Sequence, residues 1–305
     1  MKASYSFVLA VLSCATTVLS ANSPAGNTLR TAAPSTYATS QTDSSSPRSA
    51  FRSPSGWGSY APPVKSPVHL CFSCALIAGG LNIASNAVEI TGIQALTGWS
   101  GTGDSAGTGS ANGTTGLVSN PALSGTARQF KTSFTNGGSE RFSTSFGADE
   151  QATHFIYDGW VYISAPSLDV ANIEMDMNQV MANGQTVIYG VQCDGYSNTW
   201  DYTANHGTPQ NPNDVWVHSS APCNPRNWAT NTWHHVQISY SRDNSGNVTY
   251  GSVWLDGVQQ NLNATVPSAF ALGWGSVLLT NFQVDGLGAS GSTNVYLDNL
   301  VVYRW

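Results

Sequence analysis

Two acids and an amide alternate with apolar residues in the segment IEMDMNQ, residues 173–179. Side chains of a β-strand point alternately to its two faces, so Glu174, Asp176 and Asn178 would share one face. Paired carboxyl groups can perform general acid–base chemistry. Carboxylate and amide oxygens also accept hydrogen bonds from hydroxyl groups. The segment therefore predicts a catalytic floor or a polar ligand-binding floor, with a purely structural polar face as the third alternative.

The rest of the chain indicates an all-β fold that would position this floor. From residue 124 onward, β-rich segments alternate with turn signals such as Asn183-Gly184 and Asp256-Gly257, and no long helical pattern interrupts them. This pattern predicts an antiparallel two-sheet β-sandwich over residues 68–305. The Gly-rich residues 97–120 are predicted to be a loop, because no strand and helix flank them as a phosphate-binding loop requires.

The hairpin at Asn183-Gly184 brings further acids near Glu174. A two-residue turn there would place position 174 opposite position 193, and the segment CDGYSNTWDY, residues 193–202, at the end of the Glu174 strand. Asp194 and Asp201 are therefore candidates for a catalytic partner of Glu174, and His206 is a further candidate.

Two other segments carry a resemblance to a known family. TWHHVQISYSRDNSGNVTYGSVWLDG, residues 232–257, and the closing NVYLDNLVVYRW resemble the strands of the concanavalin A-like lectin/glucanase superfamily, which includes laminin-G-like domains. The resemblance covers roughly residues 85–305 and implies a jelly-roll sandwich. That fold carries lectins, hydrolases, lyases and adhesion modules, so it does not imply one function.

Glu174-Met175-Asp176 resembles the catalytic strand of the laminarinase-like and cellobiohydrolase-like glycoside hydrolases, which reads Glu-x-Asp-x-(x)-Glu. The resemblance implies that Glu174 is the nucleophile and Asp176 the assisting acid. The third acid is absent, because Asn178 stands at the unbulged spacing and Gln179 at the bulged one. An amide cannot transfer the proton that a carboxyl group transfers.

Three functions follow as expectations. The first is a carbohydrate-recognition domain that binds a polysaccharide or oligosaccharide on its concave sheet face. Its floor and aromatic wall would be Glu174, Asp176, Asn178 and Gln179, with Tyr196, Trp200 and Tyr202. The second is a glycoside hydrolase or polysaccharide lyase that uses Glu174 with Asp194 or Asp201. The third is an adhesion module that binds another protein.

The N-terminal sequence and the cysteines indicate export. Residues 1–20 carry a lysine, an apolar run and a small-residue cleavage site, which together predict a signal peptide. Residues 21–67 are rich in Ser, Thr and Pro and are predicted to be a disordered linker. In an exported chain, Cys193 and Cys223 are expected to form a disulfide, while the state of Cys71 and Cys74 is left open.

The charge distribution and the apolar pattern restrict the classes of partner that the chain can bind. Residues 66–305 hold six basic and sixteen acidic residues, which argues against a nucleic-acid partner. The N-terminal apolar run is too short to cross a membrane, and no other apolar segment is long enough to do so. We expect no cofactor and no catalytic metal, although a structural Ca²⁺ is left open with Asp285 and Asp298 as candidate ligands. The glycan, the oligomeric state and the occupancy of the glycosylation sequons are also left open.

Overall fold

The computed structural model describes residues 81–104, 109–288 and 290–305. The predicted signal peptide, the linker, the expected domain start at residue 68 and the Cys71/Cys74 pair lie outside these residues. In the described part, no helix is long and apolar enough to span a membrane.

The described residues form β-strands joined by turns and two short 3₁₀ helices, Ile93–Ala95 and Pro225–Asn227. The strands are β1 (Val88–Ile90), β2 (Ser100–Asp104), β3 (Ser110–Val118), β4 (Ala127–Thr135), β5 (Ser139–Gly147), β6 (His154–Ile163), β7 (Val170–Val180), β8 (Thr186–Tyr189), β9 (Val191–Asp194), β10 (Thr199–Asn205), β11 (Asp214–Pro222), β12 (Trp233–Arg242), β13 (Asn247–Leu255), β14 (Val258–Pro267), β15 (Ala269–Phe270), β16 (Val277–Gly286) and β17 (Gly291–Arg304).

Two antiparallel sheets form a sandwich, which confirms the predicted fold class. The eight-stranded sheet has the order β14-β13-β12-β6-β17-β4-β3, with β1 paired to β17. The nine-stranded sheet has the order β11-β10-β9-β7-β16-β5-β2, with β8 paired to β7 and to β15. The strand that carries Glu174 and Asp176, β7, lies in the middle of the nine-stranded sheet between β9 and β16.

The core lies between the sheets and is rich in aromatic residues. Phe130 of β4 stacks on Phe282 of β16 with ring centroids 4.7 Å apart, and Tyr189 of β8 stacks on Tyr240 of β12 at 4.9 Å. In β7 the core-facing residues are the apolar ones of the alternating segment, Ile173, Met175 and Met177. The acids of β7 therefore point away from the core, as strand alternation predicts.

The hairpin after β7 is where the sequence predicts it, but its register differs by one residue. The Met181 N–H donates to the Gln185 carbonyl and the Gly184 N–H to the Met181 carbonyl, so three residues form the turn. The extra residue pairs Glu174 with Gln192 and leaves Cys193 opposite Ile173. Since a shift of one residue exchanges the faces of a strand, Cys193 enters the core and Gln192 lies beside Glu174.

The segment CDGYSNTWDY forms a hairpin of β9 and β10, and β11 follows after residues 206–213. Cys193 of β9 forms a disulfide with Cys223, just after β11, which confirms the predicted pairing. The disulfide joins the two ends of this three-strand segment. It therefore tethers the outer edge of the nine-stranded sheet to β9.

Within the Gly-rich segment that was predicted to be a loop, Ser100–Asp104 and Ser110–Val118 form the strands β2 and β3. A Cβ on Gly113 of β3 would lie 2.6 Å from the Phe142 ring, and one on Gly101 of β2 would lie 2.6 Å from Glu140 Oε1. Glycine in these strands permits the close approach of β2, β3 and β5, since larger residues would clash. Composition alone therefore suggested a loop where tight packing requires glycine.

Candidate functional site

The acids of β7 lie on the face of the nine-stranded sheet that points away from the core, called here the outer face. Glu174 pairs with Gln283 of β16 on one side and with Gln192 of β9 on the other. Paired residues of antiparallel strands present their side chains on the same face. The outer face therefore carries polar groups from several strands next to Glu174.

These pairings continue across seven strands and form a line called here the polar row. Six strand spacings of about 4.8 Å make it roughly 29 Å long. From β2 to β11, its members are Thr102, Arg141, Gln283, Glu174, Gln192, Asp201 and His218. Two of the seven, Glu174 and Asp201, were candidate site residues in the sequence analysis.

Gln283 joins two carboxylates at the centre of the row. Its amide nitrogen donates to Glu174 Oε1 at 2.5 Å and to Asp285 Oδ1 at 3.1 Å. Asn172 Nδ2 donates to the other oxygen of Asp285 at 3.1 Å. Since only the nitrogen of a glutamine amide can donate, the two carboxylates fix the orientation of Gln283.

Asp201 and His218 form the other end of the row. His218 Nδ1 lies 2.8 Å from Asp201 Oδ2, and Thr199 Oγ1 donates to Asp201 Oδ1 at 2.6 Å. Gln192 Nε2 lies 3.4 Å from Asp201 Oδ2, so this amide also turns its nitrogen toward a carboxylate. His218 is exposed, with 63% of its side-chain surface accessible, whereas Asp201 is buried. An imidazole held by a buried carboxylate therefore borders the outer face.

Burial raises the pKa of two acids of this face, Asp176 and Asp201. Burial raises the pKa of Asp176 to about 7, although the Val191 N–H, at 3.2 Å from its Oδ1, opposes that shift. Burial likewise raises the pKa of Asp201 to about 6, and the nearby carboxyl group of Asp194 raises it further. Both groups accept hydrogen bonds from the protein, so their placement is built into the sheet.

Several buried oxygens of the outer face accept no hydrogen bond from any described residue. They are Oδ2 of Asp176, Oδ1 of Asn178, Oε1 of Gln192 and Oε1 of Gln283. Each of these four residues is at most 3% exposed. A buried acceptor without a donor costs about 1–3 kcal/mol, and a ligand that brings donors would remove that cost. A ligand rich in hydroxyl or amino groups would therefore suit this face where it gains access to these buried oxygens.

Tyr196 and Trp216 are aromatic residues at the borders of the outer face. Tyr196, in the β9–β10 turn, is 50% exposed, and its hydroxyl donates to the Gly286 carbonyl at 3.0 Å. Trp216 of β11 is half-buried and packs against Ile188 and Phe270. Trp216 was predicted only as one of several aromatic residues of an irregular region. Both rings are placed where an apolar ligand surface could rest on them.

The predicted wall residues Trp200 and Tyr202 are on the other face of the sheet, and this is a correction. Trp200 pairs with Cys193 and is fully buried, with its ring centroid 6.4 Å from that of Trp228. Tyr202 has the same orientation, and its ring packs 5.0 Å from Tyr250. Both residues belong to a regular strand in which alternate side chains enter the core, so they cannot border the outer face.

Gln179 is also on the core side, which corrects its assignment to the polar floor. No register shift occurs in the β7–β16 pairing between residues 174 and 179, so no bulge turns Gln179 toward the outer face. Its amide nitrogen donates to the carbonyls of Asp149 and Ala152 at 2.7 and 2.9 Å. Its oxygen accepts from Arg242 Nε at 2.6 Å. Gln179 therefore anchors the chain that precedes β6.

Asp298, a candidate ligand for a structural Ca²⁺, makes protein contacts instead. Its Oδ2 accepts the N–H groups of Leu123 and Ser124 at 2.6 and 3.0 Å, and Gln94 Nε2 lies 3.3 Å from its Oδ1. These bonds fix the loop between β3 and β4. The other candidate, Asp285, accepts the bonds from Gln283 and Asn172 described above.

Sequence reasoning missed five members of the polar row: Thr102, Arg141, Gln283, Gln192 and His218. Arg141 and Gln283 lie in segments that were predicted as strands, ERFSTSFGA and SVLLTNFQV. No local signal shows that these strands flank β7, because the pairings join residues more than thirty positions apart. His218 was taken for a loop residue, since β11 itself was not predicted.

Comparisons with solved structures found sandwich proteins at low identity. A carbohydrate-binding module studied for the promiscuous specificity of β-sandwich modules is 10% identical with a TM-score of 0.37, and the match covers 68% of this chain and 57% of that one. The cellulose-induced protein Cip1 is 13% identical with a TM-score of 0.39, covering 68% and 91%. An alginate lyase from a Chlorella virus is 11% identical with a TM-score of 0.38, covering 64% and 91%.

No protein-family model matches the sequence, and no curated protein sequence matches it. These likenesses are too distant to assign a family or a function. The fold class rests on the two sheets themselves, and any function has to be argued from the outer face.

Proposed function

We propose that the protein binds a neutral polysaccharide along the polar row on the outer face of the nine-stranded sheet. The observation that carries this proposal is the group of buried oxygens, on Asp176, Asn178, Gln192 and Gln283, that lack a donor among the described residues. Sugar hydroxyls are donors as well as acceptors. A sugar chain lying across the strands would supply donors to several of these oxygens at once.

The dimensions and the borders of the face support an extended ligand. The polar row is roughly 29 Å long by strand spacing, which suits a chain of several sugar units rather than a single one. Tyr196 and Trp216 offer aromatic surface at the borders of the face. Aromatic rings can cover the apolar C–H face of a sugar while its hydroxyls reach the polar floor.

The charge of the face favours a neutral glycan over an anionic one. Arg141 is the cation of the polar row. The outer face carries more carboxyl groups than this one arginine can offset, namely those of Glu174, Asp194, Asp201 and Asp285. A polymer of uronic acids would bring like charges to these groups, and like charges in a shared site repel.

The arrangement around Glu174 supports binding over retaining hydrolysis. A retaining glycosidase places its two carboxyl groups about 5 Å apart, with the scissile bond between them. Asp285 lies near Glu174, but the amide nitrogen of Gln283 stands between their oxygens and donates to both. The protein's own amide thus fills the space that a sugar ring would need. Glu174 is then a component of the binding floor.

Hydrolysis with inversion, or elimination by a lyase, is the second candidate. Glu174 and Asp201 flank Gln192 in the polar row, so their strands are two spacings apart, or roughly 10 Å. Inverting enzymes hold their carboxyl groups about 6.5–9.5 Å apart, which is close to this separation. This geometry favours the pair Glu174 and Asp201 over a pair with Asp176, which shares the strand of Glu174.

An extracellular location fits this function. The chain carries the Cys193–Cys223 disulfide, and disulfides persist in oxidising compartments. Together with the predicted signal peptide, this supports secretion.

The test is retention of the full chain on insoluble glycans, with reducing ends measured in the same samples. We expect retention on a neutral β-glucan or xylan without release of sugar, and none on a polymer of uronic acids. Gln283→Met and Trp216→Ala should each weaken retention about tenfold, because each loses roughly 1.4 kcal/mol of hydrogen bonding or ring contact.

Matched controls exist on the outer side of the eight-stranded sheet. Gln237 Nε2 donates to Asp158 Oδ2 at 2.7 Å, and Trp160 stacks on His235 with ring centroids 4.5 Å apart. Gln237→Met and Trp160→Ala therefore remove an amide and an indole ring from the eight-stranded sheet. Both changes should leave retention unchanged. Equal losses in controls and test variants would refute the assigned face. Sugar release that vanishes in Glu174→Gln would establish the second candidate, and no retention on any glycan would favour a protein-binding adhesion module.

A further inference from the structure

Three groups able to bind a metal ion converge beside the polar row, on three neighbouring strands. Asp194 is on β9, Asp201 on β10 and His218 on β11, and one ligand atom from each lies within 4.8 Å of the other two. Both aspartates are buried, whereas His218 reaches the surface. Two carboxylates this close repel one another, and a bound cation would remove that repulsion.

A fourth side chain points independently to a ligand at this place. Gln192 is 3% exposed, and its amide nitrogen turns toward Asp201 Oδ2 at 3.4 Å. Its oxygen accepts no hydrogen bond from any described residue. A buried amide oxygen next to two carboxylates and an imidazole could accept a hydrogen bond from a water molecule bound to a metal ion.

We propose that Asp194, Asp201 and His218 bind a divalent transition-metal ion of the Zn²⁺ type. The two carboxylates and one ring nitrogen of His218 are the ligands, and Gln192 contacts the water that completes the coordination. The site goes beyond glycan binding, and it shares Gln192, Asp201 and His218 with the polar row on which the proposed glycan binding rests.

The types of ligand atom determine which metal ion the site prefers. Ca²⁺ takes six to eight oxygen ligands, whereas imidazole nitrogen suits Zn²⁺, Fe²⁺, Ni²⁺ and Cu²⁺. Zn²⁺ is commonly held by three protein ligands with water in the fourth position. The exposed side of His218 gives an ion access from solvent.

Neighbouring hydrogen bonds hold the ligands in place. Thr199 Oγ1 donates to Asp201 Oδ1 at 2.6 Å, which leaves Oδ2 directed at His218. The backbone N–H of Tyr196 donates to Asp194 Oδ1 at 2.6 Å. Bonds of this kind orient the ligands in known metal sites. A bound metal ion would take the place of the hydrogen bond between His218 and Asp201.

The experiment is calorimetric titration of the EDTA-treated full chain with Zn²⁺, then with Ca²⁺ and Mg²⁺. We expect one Zn²⁺ per chain at this site and an affinity at least tenfold lower in His218→Ala and in Asp201→Asn. Because His218 is exposed, His218→Ala should unfold at the same temperature as the parent. Co²⁺ bound in place of Zn²⁺ should give a visible absorption spectrum that His218→Ala abolishes.

A matched control is the His235–Asp158 pair of the other sheet, in which His235 Nε2 lies 2.7 Å from Asp158 Oδ1. His235→Ala removes a histidine of the same kind and should leave Zn²⁺ binding unchanged. The proposal is overturned if the parent binds no Zn²⁺, if His218→Ala binds it as tightly as the parent does, or if Ca²⁺ binds this site more tightly than Zn²⁺.

Discussion

Replacing Cys193 and Cys223 together by alanine is expected to lower the free energy of unfolding by about 3–4 kcal/mol. The disulfide closes a loop between residues 30 positions apart, and a cross-link of this span restricts the unfolded chain. Both sulfur atoms are also packed in the core, since Cys193 is fully buried and Cys223 is 6% exposed. Alanine avoids burying a polar hydroxyl there, so the loss reports mainly the cross-link and some packing.

The measurement is equilibrium unfolding in guanidinium chloride. Both cysteines are changed together, because a single remaining thiol could exchange with Cys71 or Cys74. The parent protein in reductant serves as the control and should unfold near the midpoint of the double variant. A double variant within 0.5 kcal/mol of the oxidised parent would contradict a stabilising role for the disulfide, since about 3 kcal/mol is expected even for a shorter loop.

The disulfide also connects stability to the proposed sites. The cross-linked segment contains β10 and β11, which carry Asp201 and His218 at the end of the polar row. An edge hairpin without its tether opens more easily than the centre of a sheet. We therefore expect the double variant to lose Zn²⁺ binding at a lower concentration of guanidinium chloride than retention on a glycan. The reason is that Glu174 and Gln283 are on central strands.

Local sequence signals predicted most of the sandwich, because strand alternation and turn chemistry are local. The turn at Asp256-Gly257 lies between β13 and β14, with φ values of +51° and +81° that suit those two residues. The alternation in IEMDMNQ correctly separated Glu174 and Asp176 from the core. In contrast, β2, β3, β10 and β11 were missed, because glycines and polar residues there reflect close packing and a polar face.

The candidate site depended on register, which the sequence left uncertain by one residue. A two-residue turn would have placed Cys193 beside Glu174, but the three-residue turn at Asn183-Gly184 places Gln192 there. That single residue decides whether Trp200 faces the ligand or the core. The contributions of Arg141 and Gln283 come from strands distant in sequence, and no local pattern predicts such pairings.

Asp214→Asn is expected to flatten the dependence of stability on pH. Asp214, the first residue of β11, is 6% exposed, and burial raises its pKa to about 8, with a further increase from the charge of Asp176. In the unfolded chain the pKa of aspartate is about 3.9. Between these two values the unfolded chain has lost the proton that the folded protein keeps. Stability therefore falls as the pH rises from about 4 to about 8 and levels off above that.

Asp214 should thus lower the free energy of unfolding by on the order of 3–5 kcal/mol at pH 9 and by little at pH 4. The measurement is the unfolding free energy of parent and variant at several pH values, and the difference between the two should grow across that window. Asp243→Asn is a control of opposite sign, because the hydrogen bond from Asn247 lowers the pKa of the exposed Asp243. Its stabilisation is present at neutral pH and lost as the pH falls through its lowered pKa. Parallel curves for Asp214→Asn and the parent from pH 4 to pH 9 would show that Asp214 is ionised in the folded protein and that burial does not raise its pKa.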